Sequence, residues 1–195
     1  AQMSKSLRER TSRSYHDTTV GDVVRQIAAA NGLPIKIAPE LAAKPVQHLD
    51  QTTESDLHFL TRLARQHDAV ATVKKGTLVF LRTNSRTTAS GQELGAVHIT
   101  RSRGDQHRWH TADRTSYTAV RAYWHDGKSA RRKGVVAGNG SDGSTKTLKD
   151  TYATQADALD AAKAELQRVD RGAATLSLTL ALGRPQLMPQ SPVTV

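Results

Sequence analysis

Apolar residues recur at spacings of three and four in several stretches of the chain, and this period predicts amphipathic helices. The first predicted helix runs from Thr19 to Asn31, and Gly32 closes it. The second begins at Thr53 and Asp56, which repeat the three-residue capping spacing of Thr19 and its acid. The expected buried stripes are Val20, Val23, Val24 and Ile27 in the first helix, and Leu57, Leu60, Leu63 and Ala64, with Phe59 beside them, in the second.

A third predicted helix covers residues 154–171, and a strongly alternating strand follows it. Thr154 and Asp157 have capping spacing, and Gly172 stands where a left-handed residue would end the helix. The predicted buried stripe is Leu159, Ala162, Leu166 and Val169. In the strand one face carries Leu176, Leu178, Leu180 and Leu182, and the other carries Thr175, Ser177, Thr179 and Ala181. The leucine face therefore predicts a core, and the polar face can meet water or a neighbour.

Shorter β-prone runs complete the pattern. Extended pieces are predicted at 33–37, 97–100, 117–124 and 192–195, and residues 69–73 and 77–81 read as a hairpin around Lys74-Lys75-Gly76. Pro39 and Pro45 bracket a predicted loop, and residues 105–113 are predicted as a turn region.

These elements and the polar stretches between them predict an α+β protein of two domains. Residues 1–14 read as a basic linker or arm, and residues 15–83 as a small domain of helix, strand, helix and hairpin. Residues 84–95 read as a linker, and residues 96–195 as a second, strand-rich domain with one packed helix. Residues 126–149 are charged and then rich in Gly and Ser, which predicts a mobile loop between paired strands.

Composition and charge narrow the class of protein. The net charge of the 195 residues is +10, since 28 Lys and Arg outnumber 18 Asp and Glu. A basic surface is predicted at Arg131, Arg132 and Lys133, and a nucleic-acid-binding module is one alternative function. There is no cysteine, and no apolar run of about 18 residues predicts a membrane span.

Several patterns resemble chemical motifs but lack the context that such motifs need. Residues 138–143 match G-x-G-x-x-G, yet no helix is predicted directly after them, so we expect a loop tip and no cofactor. His107 and His110, with Asp105 and Asp113 nearby, are expected to be surface residues and not a zinc site.

The acidic and aromatic residues bear on catalysis and on sugar binding. Glu93, Asp105 and Asp113 show no pairing typical of a glycosidase, so we expect a protein that is not an enzyme. A peptidoglycan-binding module is a second alternative, for which Tyr15 and Phe59 are the candidate rings in the first domain; Phe59 is expected in its core.

Four segments carry a resemblance to a known family. They are SYHDTTVGDVVRQIAAANGL, DQTTESDLHFLTRLARQHDAVATVKKGTLVFL, HITRSRGDQHRWHTADRTSYTAV and LQRVDRGAATLSLTLALGRPQLMPQSPVTV. They resemble the phage late control protein D family, the baseplate hub proteins of contractile tails, which are related to VgrG hubs. The resemblance covers the chain from about residue 14 to residue 195.

The resemblance implies a structural role in the virion tail, assembled in the host cytoplasm. It implies that residues 96–195 form a partial tube-like antiparallel β-barrel, truncated at its C-terminal end, and that a preceding barrel domain is missing. It implies a homotrimer of the full-length protein that contacts the tail tube, the spike and other baseplate proteins, with DNA passing through the assembled tube. Thr175, Ser177 and Thr179 are then candidates to face the lumen or another subunit.

Overall fold

The computed structural model of the protein describes residues 5–86, 92–100, 102, 104–111, 117–140, 144–185, 187 and 191–195. About 27% of the structure is helical and 45% is strand, so the α+β class is confirmed. Among the described residues, none of the helices combines the length and the hydropathy needed to cross a membrane.

The elements follow one another along the chain as helices and strands of mixed length. The helices are a 3-10 turn at Lys5–Arg8, α1 at Val20–Ala30, α2 at Pro39–Ala42, α3 at Asp56–Gln66 and α4 at Gln155–Gly172. The strands of the first half are β1 at Arg10–Thr19, β2 at Ile35–Ile37, β3 at Pro45–Ser55, β4 at Ala69–Lys74 and β5 at Thr77–Arg82. Those of the second half are β6 at Val97–His98, β7 at Gln106–Thr111, β8 at Ala119–Asp126, β9 at Arg131–Gly138, β10 at Thr145–Tyr152, β11 at Ala174–Thr179 and β12 at Val193–Thr194.

The N-terminal caps of α1 and α4 form as predicted. The hydroxyls of Thr19 and Thr154 each accept a hydrogen bond from the backbone N–H three residues later, at 3.1 Å. In α3 the cap is Ser55, whose hydroxyl accepts from His58 N at 3.3 Å, so the expected start at Thr53 is wrong. Thr53 instead lies inside β3.

The C-terminal ends of the helices differ from each other. Gly32 follows α1 with φ +63°, the left-handed value expected of a closing glycine. Gly172 is instead the last residue of α4, and its C-cap is Ala173 at φ −62°, so the expected left-handed cap there is wrong.

The first half combines an antiparallel ribbon of β1 and β3 with a three-stranded sheet in the order β2-β5-β4. The predicted hairpin is β4 and β5, and the helices α1 and α3 pack over the sheet. The expected stripe residues are buried except Leu57, which is half-buried. Residues 10–14 belong to β1, so the predicted linker is wrong there. The predicted loop after Pro39 contains α2, and Pro45 begins β3. β1 and β3 carry mainly polar side chains, so the spacing of apolar residues did not predict them.

The second half has a central sheet in the order β10-β8-β9, and α4 packs against one of its faces. β9 is antiparallel and β10 parallel to β8. The predicted mobile loop at 126–149 is therefore wrong over most of its length. The outer strands β9 and β10 are rich in charged residues or glycine, as edge strands commonly are. Because loops have a similar composition, the sequence predicted a loop here.

Two further pairs of strands accompany the central sheet. β11 pairs antiparallel with β7, and β12 pairs parallel with β6. The region at 105–113 predicted as a turn is thus mostly β7. The parallel pairs show that the expected antiparallel barrel is wrong. The described strands lie in separate sheets, and these sheets do not close into a barrel.

Candidate assembly surface

β7 and β11 form a two-stranded ribbon whose two faces have opposite character. Directly opposed residues of an antiparallel pair share a face. The polar face pairs the three predicted residues with residues of β7 that were not predicted to lie beside them. These pairs are Thr175 with His110, Ser177 with Arg108, and Thr179 with Gln106. All three predicted residues are exposed, so this face is open to solvent.

The other face of the ribbon is apolar and only partly covered. Trp109 lies opposite Leu176, and the two residues are 59% and 38% exposed. Beside them is an apolar groove of about 250 Å³ lined by Ile99, Asp105, Gln106, His107, Leu176, Leu178, Leu180 and Val195. Three of the four expected core-facing leucines therefore line a groove that is still open, and the fourth, Leu182, is 74% exposed.

The predicted basic surface at Arg131, Arg132 and Lys133 is divided by the pleat of β9. Lys133 turns to the helix side, where its ammonium lies 2.5 Å from a carboxylate oxygen of Asp126. Hydrogen bonds from Lys133 and Ser129 lower the pKa of Asp126 to about 2. Arg132 points to the opposite face, so the three cations do not form one patch.

Arg132 instead joins residues of β8 that the sequence analysis did not select. Its guanidinium carbon lies 3.8 Å from the ring centroid of Tyr123, within the range of a cation–π contact. Arg121, Tyr123 and His125 share the face of Arg132 because β8 residues alternate, and Arg132 is opposite His125. The predicted strand at 117–124 already implied this alternation and could have identified them.

Charged contacts connect the two halves along α4. Arg171 forms an ion pair with Asp68, and the guanidinium of Arg168 donates to the carbonyl oxygen of Arg65 at 2.7 Å. Lys44 Nζ lies 2.5 Å from Asp160 Oδ2. The halves are thus joined by polar groups at these positions.

Two buried titratable groups lie on or near α4. His67 is 8% exposed, and its Nδ1 lies 3.9 Å from Asp160 Oδ2. Burial lowers the pKa of His67 even though Asp160 opposes this effect. Burial would raise the pKa of Glu165, but its hydrogen bonds with Lys146 and Arg168 outweigh that effect and lower it.

The structure does not assemble the other candidate residues into a chemical site. His107 and His110 lie on opposite faces of β7, and Asp113 is outside the described residues. Asp105 accepts hydrogen bonds from the backbone N–H groups of Ser102 and Ala181, both at 2.7 Å, and Glu93 is exposed. In the part of the chain that the structure describes, no group of three potential metal ligands is found.

The glycine motif at 138–143 lies between two strands. Gly138 ends β9 with φ +93°, and a Cβ atom there would lie 2.5 Å from the carbonyl oxygen of Thr118. Glycine is therefore required by close backbone packing. The next helix begins only at Gln155, and residues 141–143 are outside the described residues.

Tyr15 and Phe59 stack on each other inside the first half, with ring centroids 5.6 Å apart. They are 6% and 0% exposed, which confirms the expected core position of Phe59. Neither ring presents a surface on which a sugar could stack.

Comparison with known proteins gives consistent matches. The family model for the phage tail baseplate hub matches residues 3–195. A probable baseplate hub protein of Escherichia phage 186 is 36% identical, and one of Escherichia phage P2 is 35% identical. Each match covers 97% of this chain, which spans 59% of the length of each relative.

Two solved structures show a similar fold. The 43 kDa tail protein of prophage MuSo2 from Shewanella oneidensis aligns with a TM-score of 0.61 at 16% identity, covering 93% of this chain and 58% of that one. A tail protein from Neisseria meningitidis MC58 aligns with a TM-score of 0.59 at 14% identity, covering 87% and 52%.

Proposed function

Because this chain belongs to the phage tail baseplate hub family, we propose that it is a structural part of the hub of a contractile tail. The match of the family model to residues 3–195 carries this proposal. The role is assembly within the virion tail, joining the tube to the central spike, and involves no catalytic step. The chain spans 59% of the length of these relatives, so the activity and partners of the whole protein are part of the proposal.

The proposed assembly is a homotrimer of the full-length protein. Its partners are the tail tube protein, the spike and other baseplate proteins, and DNA passes through the assembled tube. The open ribbon of β7 and β11 supports this, because it presents Trp109 and Leu176 to solvent and exposed apolar patches mark interaction sites.

Two domains are proposed within the chain, one at 15–83 extended by β1, and one at 96–195. Their buried apolar clusters support this division, because the cluster of the first half and that of the second share no residue. The second domain is proposed to become tube-like in the trimer, where neighbouring subunits cover strand edges that stay unpaired here.

The polar face of the ribbon is proposed to line the lumen or a subunit contact. Thr175, Ser177 and Thr179 are exposed in one row, beside Arg108 and His110. Replacing the three with lysine adds charge to a surface that already carries cations, and we expect trimer or tube assembly to fail. A control adds three lysines at exposed positions of the first half, Gln26, Gln47 and Thr52. If the variant with lysine at 175, 177 and 179 assembles normally, the polar face lines neither the lumen nor a subunit contact.

Molar mass in solution tests the proposed function directly. Light scattering of the full-length protein should give three times the mass of one chain, and the same measurement on residues 1–195 shows whether this part contributes the contacts. A full-length protein that stays a monomer at high concentration and does not enter assembled tails contradicts the hub role.

A further inference from the structure

We propose that the outer face of the central sheet binds an acidic surface of another protein in the tail. This cationic face consists of Arg121, Tyr123, His125 and Arg132, and the inference rests on the proposed function. β8 alternates so that Val120, Ala122 and Trp124 point to α4, while Arg121, Tyr123 and His125 point away. One side of the sheet is therefore used in the core, and the other is available.

The cationic face is held in place by its own contacts. Arg132 stacks over the Tyr123 ring at 3.8 Å. Gly134 lies opposite Tyr123, and a Cβ atom there would be 3.3 Å from Tyr123 Cε1, closer than most such contacts. Glycine at this position lets the ring lie close to the sheet, where it supports the guanidinium. An ordered arginine loses less conformational entropy on binding than a free one.

The charge of this face is not neutralised from within β8 and β9. The register places Arg121 opposite Val136, Tyr123 opposite Gly134 and His125 opposite Arg132, so these positions carry no carboxylate. Arg121, His125 and Arg132 are exposed, and within the described ranges Arg121 has no ion-pair partner. The contrast is Lys133 on the other side of the same strand, which Asp126 neutralises.

At the paired positions of β10 the register places hydroxyl groups and no carboxylate. β10 contributes Thr147 and Thr151 opposite Arg121 and Tyr123. Asp150 is exposed in the irregular segment between them and acts on Tyr152, which packs on the helix side. Burial first, and then the charge of Asp150, raise the pKa of Tyr152 to about 12.

The composition of the face favours a protein carboxylate over a nucleic-acid backbone. Tyr and Arg are the residues most enriched at the energetic centre of protein interfaces, and Val136, 44% exposed, adds an apolar contact. Guanidinium groups match carboxylates with two parallel hydrogen bonds. Strong binding to DNA depends on many phosphate contacts, whereas this face offers two arginines and one histidine. The net charge of +10 also steers acidic partners toward the chain.

Binding of a fluorescently labelled polyglutamate peptide tests the inference, with labelled oligothymidylate of equal length as the comparison. We expect polyglutamate to bind the wild-type chain more tightly than oligothymidylate does. The double variant Arg121→Gln/Arg132→Gln should weaken polyglutamate binding about tenfold. The control Arg8→Gln/Arg10→Gln removes the same charge at exposed positions of the first half and should weaken it far less.

Three results would overturn the inference. Equal losses in the two double variants would show attraction by net charge alone. Tighter binding of oligothymidylate, lost in Arg121→Gln/Arg132→Gln, would show a phosphate site. If polyglutamate does not bind the wild-type chain, although circular dichroism shows that the chain is folded, the proposed site does not exist. The light-scattering mass of the full-length protein separates these failures from a failure of the hub role, since that mass is measured without polyglutamate or oligothymidylate.

Discussion

The two halves of the chain bury different kinds of side chain. The core of the first half contains the rings of Phe59 and Phe80, both 0% exposed, with leucines and valines around them. The buried cluster of the second half is mostly alanine: Val120, Ala122, Ala137, Ala158 and Ala162. Since the free energy of burial scales with apolar area, a cluster of small residues contributes less per residue.

This difference shows where each half obtains its stability. The first half combines extensive apolar burial with a buried carboxylate, since Asp56 is 2% exposed and pairs with Arg13. In the second half, whose apolar cluster is smaller, Glu165 is 6% exposed and accepts hydrogen bonds from Lys146 and Arg168. Its helix also reaches the first half through Arg171 and Asp68. A domain whose own core is small fits a protein that completes its burial by assembly.

The largest expected effect is on the aromatic core. Phe80→Ala should lower the free energy of unfolding by about 3–5 kcal/mol, because it leaves a cavity in the middle strand of the first sheet. Val120→Ala in the second half should lower it by about 2 kcal/mol. Urea denaturation followed by circular dichroism measures both. The exposed control Val136→Ala should stay within about 0.5 kcal/mol. If Phe80→Ala and Val120→Ala lowered the free energy of unfolding by similar amounts, the proposed difference between the two cores would be wrong.

The second effect concerns the buried charge on α4. Glu165→Gln should destabilise the chain by about 1–3 kcal/mol, because it leaves Lys146 and Arg168 without their carboxylate. Since the pKa of Glu165 is lowered, this stabilisation is present near neutral pH and is lost as the pH falls below the ordinary carboxyl range. Denaturation at several pH values measures it. Glu40→Gln, at an exposed site, is the control, and an equal effect of the two substitutions would show that burial of Glu165 is unimportant.

The sequence predicts the elements whose signals are local. α1, α3, α4 and the β4–β5 hairpin were predicted because helical periodicity, caps and a glycine turn lie within a few residues of each other. β1 and β10 were missed because their pairing partners are distant in sequence. β9 follows β8 directly in a hairpin and was missed because its charged and glycine residues are typical of a loop. The residues Arg131-Arg132-Lys133-Gly134 resemble a loop until β8 is known to lie beside them.

The same reason explains what was missed on the surface. Lys133 and Arg132 were predicted to share one basic surface because they are adjacent in sequence. The pleat of β9 places them on opposite faces of the central sheet. Arg121 and His125, which share the face of Arg132, lie on the neighbouring strand β8 and were not selected. Thr175, Ser177 and Thr179 follow strict alternation, so their exposure on one face was predictable, and their proposed contact still awaits the lysine test.

A smaller effect is expected from the ion pair between the halves. A double-mutant cycle of Asp68→Asn and Arg171→Gln should give a coupling energy of about 1 kcal/mol, because the carboxylate is buried while the guanidinium is 31% exposed. The exposed pair Asp22 and Arg25 within α1 should give about 0.3 kcal/mol and is the matched control. A coupling near zero for the first pair would mean that the ionic contact does not hold α4 to the first half.

The smallest effect is a pH dependence at the same boundary. His67 faces Asp160, Asp157, Lys44 and Arg82, and burial keeps its pKa below the ordinary value near 6.5. The unfolded chain therefore binds more protons at this residue than the folded chain just below that pH, so the free energy of unfolding should fall as the pH drops from 7 toward 5.

Comparing His67→Gln with wild type isolates this contribution. The variant should lose part of the slope of stability against pH, whereas His98→Gln, at an exposed position, should keep it. An unchanged slope in His67→Gln would place the pH dependence elsewhere. A reduced slope would show that the boundary between the halves, unlike the aromatic core, responds to protons because it is built from charged and titratable groups.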